Sequence, residues 1–263
     1  MKKIVVILIL LIIFLIYNTF FSDNFIHENF DNNILHTIVD KVYVINMDKD
    51  KERMYILDKK MKELGIKYQR ATGVDGRKIY SQYKNKTKLR PGQLGCLLSH
   101  INVIKDAIKN NYENILVLED DIIFHKNFHK EFKKKYRYLI EKEKYFDLIY
   151  LGCHQKHNWK NINILTHYYK TKKNDGTFAM LINKNIFQDI LENYNKLNQP
   201  SDRVLYYNIQ PNKKCFTFHP NILTSNVSNY SNTEEILNSV NLSKYLKSNK
   251  IEIKNYDFKN LIL

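Results

Sequence analysis

Six short apolar runs, each separated from the next by an amphipathic or polar stretch, occupy residues 39–218. That alternation constrains the fold more than any other feature. Residues 39–47 (VDKVYVINM), 66–71, 114–118 (NILVL), 147–151 (DLIYL), 177–182 and 215–218 read as buried strands. Between them, Met54, Leu57, Met61 and Leu64 fall at helical spacing and stop at Gly65. After Pro91, the positions Leu94, Leu97, Leu98, Ile101, Ile104 and Ile108 trace one helical face. Residues 127–142, 184–194 and 201–208 read as further helices, 77–90 as a polar loop, and 153–175 match no regular pattern. Strands alternating with helices imply an α/β sandwich around a mostly parallel sheet, which binds ligands at the carboxyl ends of its strands.

A chain of 263 residues holds one sizeable domain with appendages. Aromatic residues make up 13% of it, which argues against disorder; three Cys with no Cys-x-x-Cys exclude a zinc ribbon and a disulfide scaffold. Lys and Arg outnumber Asp and Glu by 42 to 27, a net charge of +15. Only six of the 42 are Arg, and the Lys residues spread from Lys41 to Lys259 without a compact block. This reads as a solvated surface with no nucleic-acid partner, and it suits an enzyme handling a phosphate-bearing donor. Lys2 and Lys3 precede an apolar stretch from Ile4 to Phe21, near the shortest that spans a bilayer. Phe20, Phe21 and Phe25 stand where a cleavage site needs small residues. The expectation is a retained signal anchor over residues 1–22, a single pass through the membrane, and a lumenal or extracytoplasmic domain. Residues 23–37 read as a stem, 38–225 as the folded domain and 226–263 as a polar tail.

The strongest chemical signal is Glu119-Asp120-Asp121, directly after the run 114–118. Three consecutive carboxylates repel one another unless a cation sits among them. On an extended strand Glu119 and Asp121 share one side and Asp120 takes the other, so the pair can hold one divalent ion that also meets a diphosphate. The blander reading is an acidic strand end satisfied by nearby Lys or helix N-termini. Asn46 and Arg53, after the first strand, are placed for a nucleotide; Arg53 would pair with a phosphate or with Asp75, against a surface Arg near Asp48 and Asp50 caps. In Gly92-Gln93-Leu94-Gly95-Cys96-Leu97-Leu98-Ser99-His100 the glycines permit close backbone approach. Cys96 and His100 stand four apart like a metal pair, but Cys96 reads as a core residue and His100 as a donor contact or a buried hydrogen bond. Asp202 is a helix N-cap or a catalytic carboxylate, and His219 a late metal ligand or a surface His.

Six fragments in order resemble glycosyltransferase family 25, which holds bacterial lipooligosaccharide galactosyltransferases and the catalytic domains of procollagen galactosyltransferases. They are Val44-Ile45-Asn46-Met47 with Glu52-Arg53, then Val74-Asp75-Gly76, Gly92 to His100, Glu119 to Asp121, Asp147 to Gly152, and Pro200-Ser201-Asp202. The resemblance covers about residues 40 to 232. It implies a glycosyltransferase A fold, a Rossmann-like sandwich. It also implies a UDP-sugar donor carrying galactose or glucose, a Mn²⁺ or Mg²⁺ ion, and a hydroxyl acceptor on a glycan, lipid or protein. Glu119 and Asp121, with His219, would hold the metal; Asn46, Arg53, Asp75, Ser99, His100 and Asp120 would contact the donor; Asp202 and the Gln93 position would be catalytic. Two positions depart from the family: Gln93 replaces a usual Glu, and Ser231-Asn232 replaces Ser-Asp. These departures keep a degenerate protein that only binds sugar nucleotide or glycan as the alternative.

Overall fold

The computed structural model of the protein describes residues 34–154, 167–226 and 252–257. The expected anchor and most of the stem and tail lie outside them, as does the Ser231-Asn232 departure. Among the described residues no helix is long and apolar enough to cross a membrane.

Nine strands form two sheets: β1 (Lys41–Asn46), β2 (Gln69–Thr72), β3 (Asn114–Glu119), β4 (Ile122–Phe124), β5 (Leu148–Tyr150), β6 (Tyr168–Lys170), β7 (Ala179–Asn183), β8 (Cys215–Phe218) and β9 (Leu223–Ser225). The central sheet has seven strands in the order β2-β1-β3-β7-β5-β8-β6. β1, β2, β3, β5 and β8 run one way, while β7 and β6 run the other. β4 and β9 pair as a small antiparallel sheet with Ile122 opposite Ser225. The helices are α1 (Ile34–Ile38), α2 (Lys51–Glu63), α3 (Gly76–Tyr83), α4 (Pro91–Lys109), α5 (Phe128–Glu143), α6 (Phe187–Tyr194) and α7 (Ser201–Val204).

The inner strands of the sheet are buried on both faces, and their alternation assigns their apolar residues to one of two cores. Val42, Val44, Leu116, Leu118 and Leu181 face the core that α2 and α5 close with Leu57, Met61, Phe128 and Phe132. Tyr43, Ile115, Val117, Met180 and Ile182 face the core that α4 and α6 close with Leu94, Leu97, Ile101, Phe187 and Ile190. Burial on both faces is why these strands read as unbroken apolar runs.

Three local readings change. Residues 76–83 form α3 rather than a loop, started by Asp75, whose Oδ1 accepts the Arg77 N–H at 3.1 Å. The helix at 201–208 is α7 followed by a π-helical turn over Leu205–Ile209. Residues 252–257 of the tail pack onto the fold: Tyr256 bridges to His125, and Asp257 pairs with Lys60 at 2.6 Å.

Candidate active site

The carboxyl ends of β1 and β3 lie side by side, with Ile45 opposite Glu119. The chain leaves them toward α2 and β4, and the divergence opens a cleft of about 820 Å³, solvent mouth included. Such a position is where open α/β sheets bind ligands. Arg53 from α2, Asp75 ahead of α3, Cys96, Ser99 and His100 from α4, and Glu119 to Asp121 all line it.

Missing side chains bring α4 to this wall. A Cβ on Gly76 would sit 1.8 Å from the Pro91 carbonyl oxygen, and one on Gly95 would sit 2.4 Å from that of Val74. Ser99 then fastens the contact: its Oγ accepts the Val74 N–H at 2.8 Å and donates to the Gly95 carbonyl at 2.7 Å. Ser99 therefore holds the wall in place with both its hydroxyl functions. Gln93 does not line the cleft; its Oε1 accepts the Arg90 N–H at 3.1 Å and caps the first turn of α4. An amide oxygen performs that task as a carboxylate does, so the departure at Gln93 keeps the helix cap.

β3 ends at Glu119, and Asp120 and Asp121 form a turn into β4, so the strand alternation expected for the triplet stops there. Each carboxylate has its own surroundings. Glu119 Oε1 accepts from Thr177 Oγ1 at 2.7 Å and faces His100 Nε2 at 3.4 Å. Burial disfavours charge on His100, but hydrogen bonds with Cys96 and Glu119 outweigh it and push it up to about 10. Burial likewise works to raise Glu119, but His100, Thr177 and the charge of His154 together lower it. Asp120 accepts from Asn46 Nδ2 at 2.7 Å and pairs with Arg53 at 3.3 Å. Asn46 is itself held by Arg70, whose Nε donates to Asn46 Oδ1 at 2.8 Å. Arg53 thus meets Asp120, not Asp75. Asp121 is pushed up to about 7 by burial, then by the charges of Glu119 and Asp120. Among the described residues its Oδ1 is buried without a hydrogen-bond partner. A buried carboxylate oxygen left unpaired beside two other carboxylates fits a cation.

Two candidates stand off the cleft. His219 follows β8, is buried, and packs its ring edge against Tyr169 with centroids 6.3 Å apart. Its carbonyl accepts from Lys135 Nζ at 2.8 Å, and it is not among the residues that line this cleft. Asp202 Oδ1 accepts the Arg203 N–H at 2.8 Å, and Arg203 reaches on to Asp175 at 3.2 Å. Burial, then the Asp175 charge, raises Asp202, and the field of Glu119 reaches it. Sequence reasoning missed Thr177 and Asn226, whose backbone N–H donates to the Asp121 carbonyl at 2.7 Å. Both arrive by long-range pairing, so no local signal marks them. Cys96, read from the sequence as a core residue, is half-buried on the cleft wall.

The profile of glycosyltransferase family 25 (LPS biosynthesis protein) matches residues 39–205. Human procollagen galactosyltransferase 2 is 28% identical over 128 residues, 43% of this chain and 20% of that protein. A glycosyltransferase 25 family member of Aedes aegypti is 29% identical over 132 residues, 43% of this chain and 21% of that one. A rat protein named probable inactive glycosyltransferase 25 family member 3 is 27% identical over 132 residues, 44% of this chain and 23% of that one. The match thus spans about a fifth of these relatives' length. A solved mannose-1-phosphate geranyltransferase from Thermus thermophilus superposes at a TM-score of only 0.32 with 11% identity, over 68% of this chain and 73% of that one. The profile covers more than half of the chain and takes in every residue that lines the cleft, from Ile45 to Asp121, and on that ground the chain belongs to glycosyltransferase family 25.

Proposed function

We propose that the protein transfers a hexose, galactose or glucose, from a UDP-sugar to a hydroxyl on a glycan, lipid or protein, with a divalent metal assisting. The observation that carries this is Asp121: its unpaired buried oxygen lies beside Glu119 and Asp120 in an open cleft at the carboxyl ends of β1 and β3. Glu119 and Asp121 would hold Mn²⁺ or Mg²⁺, which when bound supplies Lewis-acid neutralisation of the diphosphate charge. Arg53, fixed by Asp120, presents a guanidinium to the same diphosphate. Asn46 holds Asp120 against Arg53, and Asp75 and His100 contribute further walls for the nucleotide. Asp202 stands behind the cleft wall, next to Ser201, whose Oγ lies 3.5 Å from the cleft-lining Cys96 sulfur, and it is the candidate to take the acceptor's hydroxyl proton. The N-terminal stretch would anchor the domain in a membrane. A second reading, a degenerate binder of sugar nucleotide or glycan, draws on the relative named probable inactive.

The test is UDP release from a panel of UDP-hexoses, with and without Mn²⁺. Slow hydrolysis of one donor is expected, lost on chelation and in Asp121→Asn. Mn²⁺-dependent UDP binding without turnover, on every acceptor class, would favour the second reading.

A further inference from the structure

Beyond the carboxylate turn, the cleft holds a second set of metal-ligating atoms. α4 presents Cys96 and His100 one turn apart on the same face, and the end of β3 brings Glu119 opposite them. One ligand atom from each of the three lies within 4.8 Å of the others. His100 Nε2 already stands 3.4 Å from Glu119 Oε1. A tetrahedral zinc ion sets a sulfur, a nitrogen and an oxygen ligand roughly 3.3 to 3.6 Å apart, so closure needs a shift of at most about 1.5 Å. One thiol, one imidazole and one carboxylate suit a borderline-soft ion, and three protein ligands leave a fourth position open to the cleft.

We propose that Cys96, His100 and Glu119 form a binding site for Zn²⁺ or a similar thiophilic divalent ion. The site is separate in chemistry from the all-oxygen pair Glu119 and Asp121, but shares Glu119 with it. A zinc ion there withholds Glu119 from the cation that meets the diphosphate. The site's existence rests on the geometry alone; only the competition rests on the proposed transfer reaction. The surroundings support an accessible thiol: Cys96 is half-buried, lines the cleft, and has its sulfur 3.5 Å from Ser201 Oγ. The other two thiols, Cys153 and Cys215, are buried and do not line the cleft.

The test uses the full-length chain, reduced with a phosphine, titrated with Co²⁺ and with Cd²⁺ and followed by absorption. Expected is a thiolate-to-metal charge-transfer band that saturates at one equivalent and is displaced by Zn²⁺. Cys96→Ser should abolish the band. His100→Ala and Glu119→Gln should loosen binding by more than about tenfold, since even loss of a supporting partner has that effect. Asp121→Asn should leave the band intact, which separates this site from the diphosphate cation and needs no sugar nucleotide. Circular dichroism confirms that each variant is folded. The proposal is overturned by a folded parent that gives no thiolate band, or by a band that survives in Cys96→Ser.

Discussion

Asp121 concentrates the electrostatic strain of the cleft. Burial and two neighbouring carboxylates raise it from 3.8 to about 7. A raised carboxyl favours the fold while neutral: that stabilisation is complete below the unfolded value and is lost as pH rises through about 7. Asp121→Asn removes the loss. In cation-free buffer above about pH 7 the variant is expected to be more stable than the parent by on the order of a few kcal/mol, and so to melt at a higher temperature. Added Mn²⁺ should stabilise the parent and not the variant. Thermal scans of both proteins check this, and equal melting of the two at alkaline pH would contradict it. Gln93 makes a contrasting case. As a cap, Gln93→Ala should cost about 0.5 to 1 kcal/mol of stability and leave turnover per folded molecule unchanged, while Gln93→Glu should match the parent. A loss of kcat without loss of stability in Gln93→Ala would restore a catalytic role. The triplet was legible in the sequence because three carboxylates in a row need a physical reason. The role of Gln93 was not, because it depends on Arg90 starting the helix, and nothing in Arg90 announces a cap.

The elements divide by how locally they are specified. β1, β3, β5, β7 and β8 were legible because burial on both faces leaves unbroken apolar runs. α3 was not: five of its eight residues are Arg, Lys, Ser, Gln or Gly, and its signal was the Asp75-Gly76 pair, which also reads as a turn. β4 and β9 are three residues each and meet across about a hundred positions of chain, so neither carries a pattern of its own. The α3–α4 contact depends on glycine at two positions. Gly76→Ala forces a Cβ to 1.8 Å from the Pro91 carbonyl oxygen, and backbone cannot yield as a side chain does. The expected loss is about 3 kcal/mol or more, read by equilibrium denaturation, together with weakened nucleotide binding as the wall shifts. Gly76→Ala at parental stability would show that α4 is not held this close.

Over the whole molecule, topology explains why the chemistry collects where it does. β1 and β3 are parallel neighbours, but β3 is flanked on its other side by antiparallel β7, so the connections leave their carboxyl ends in different directions. The fold class followed from the alternation of strands with helices, and the cleft sits at carboxyl strand ends, where such sheets bind ligands. The reversed strands β7 and β6, and the position of His219 off the cleft, did not follow, since strand direction is not written in an apolar run. The basic surface matters here as well: a net charge of +15 would raise the local concentration of the proposed nucleoside diphosphate around a cleft that itself carries three carboxylates. The most direct test of the central claim is calorimetric titration of the protein with UDP, in Mn²⁺ and in chelator. Binding is expected in Mn²⁺ and is lost in chelator and in Asp121→Asn. No binding of UDP by the folded parent in Mn²⁺, or binding indifferent to both chelator and the substitution, would contradict that claim.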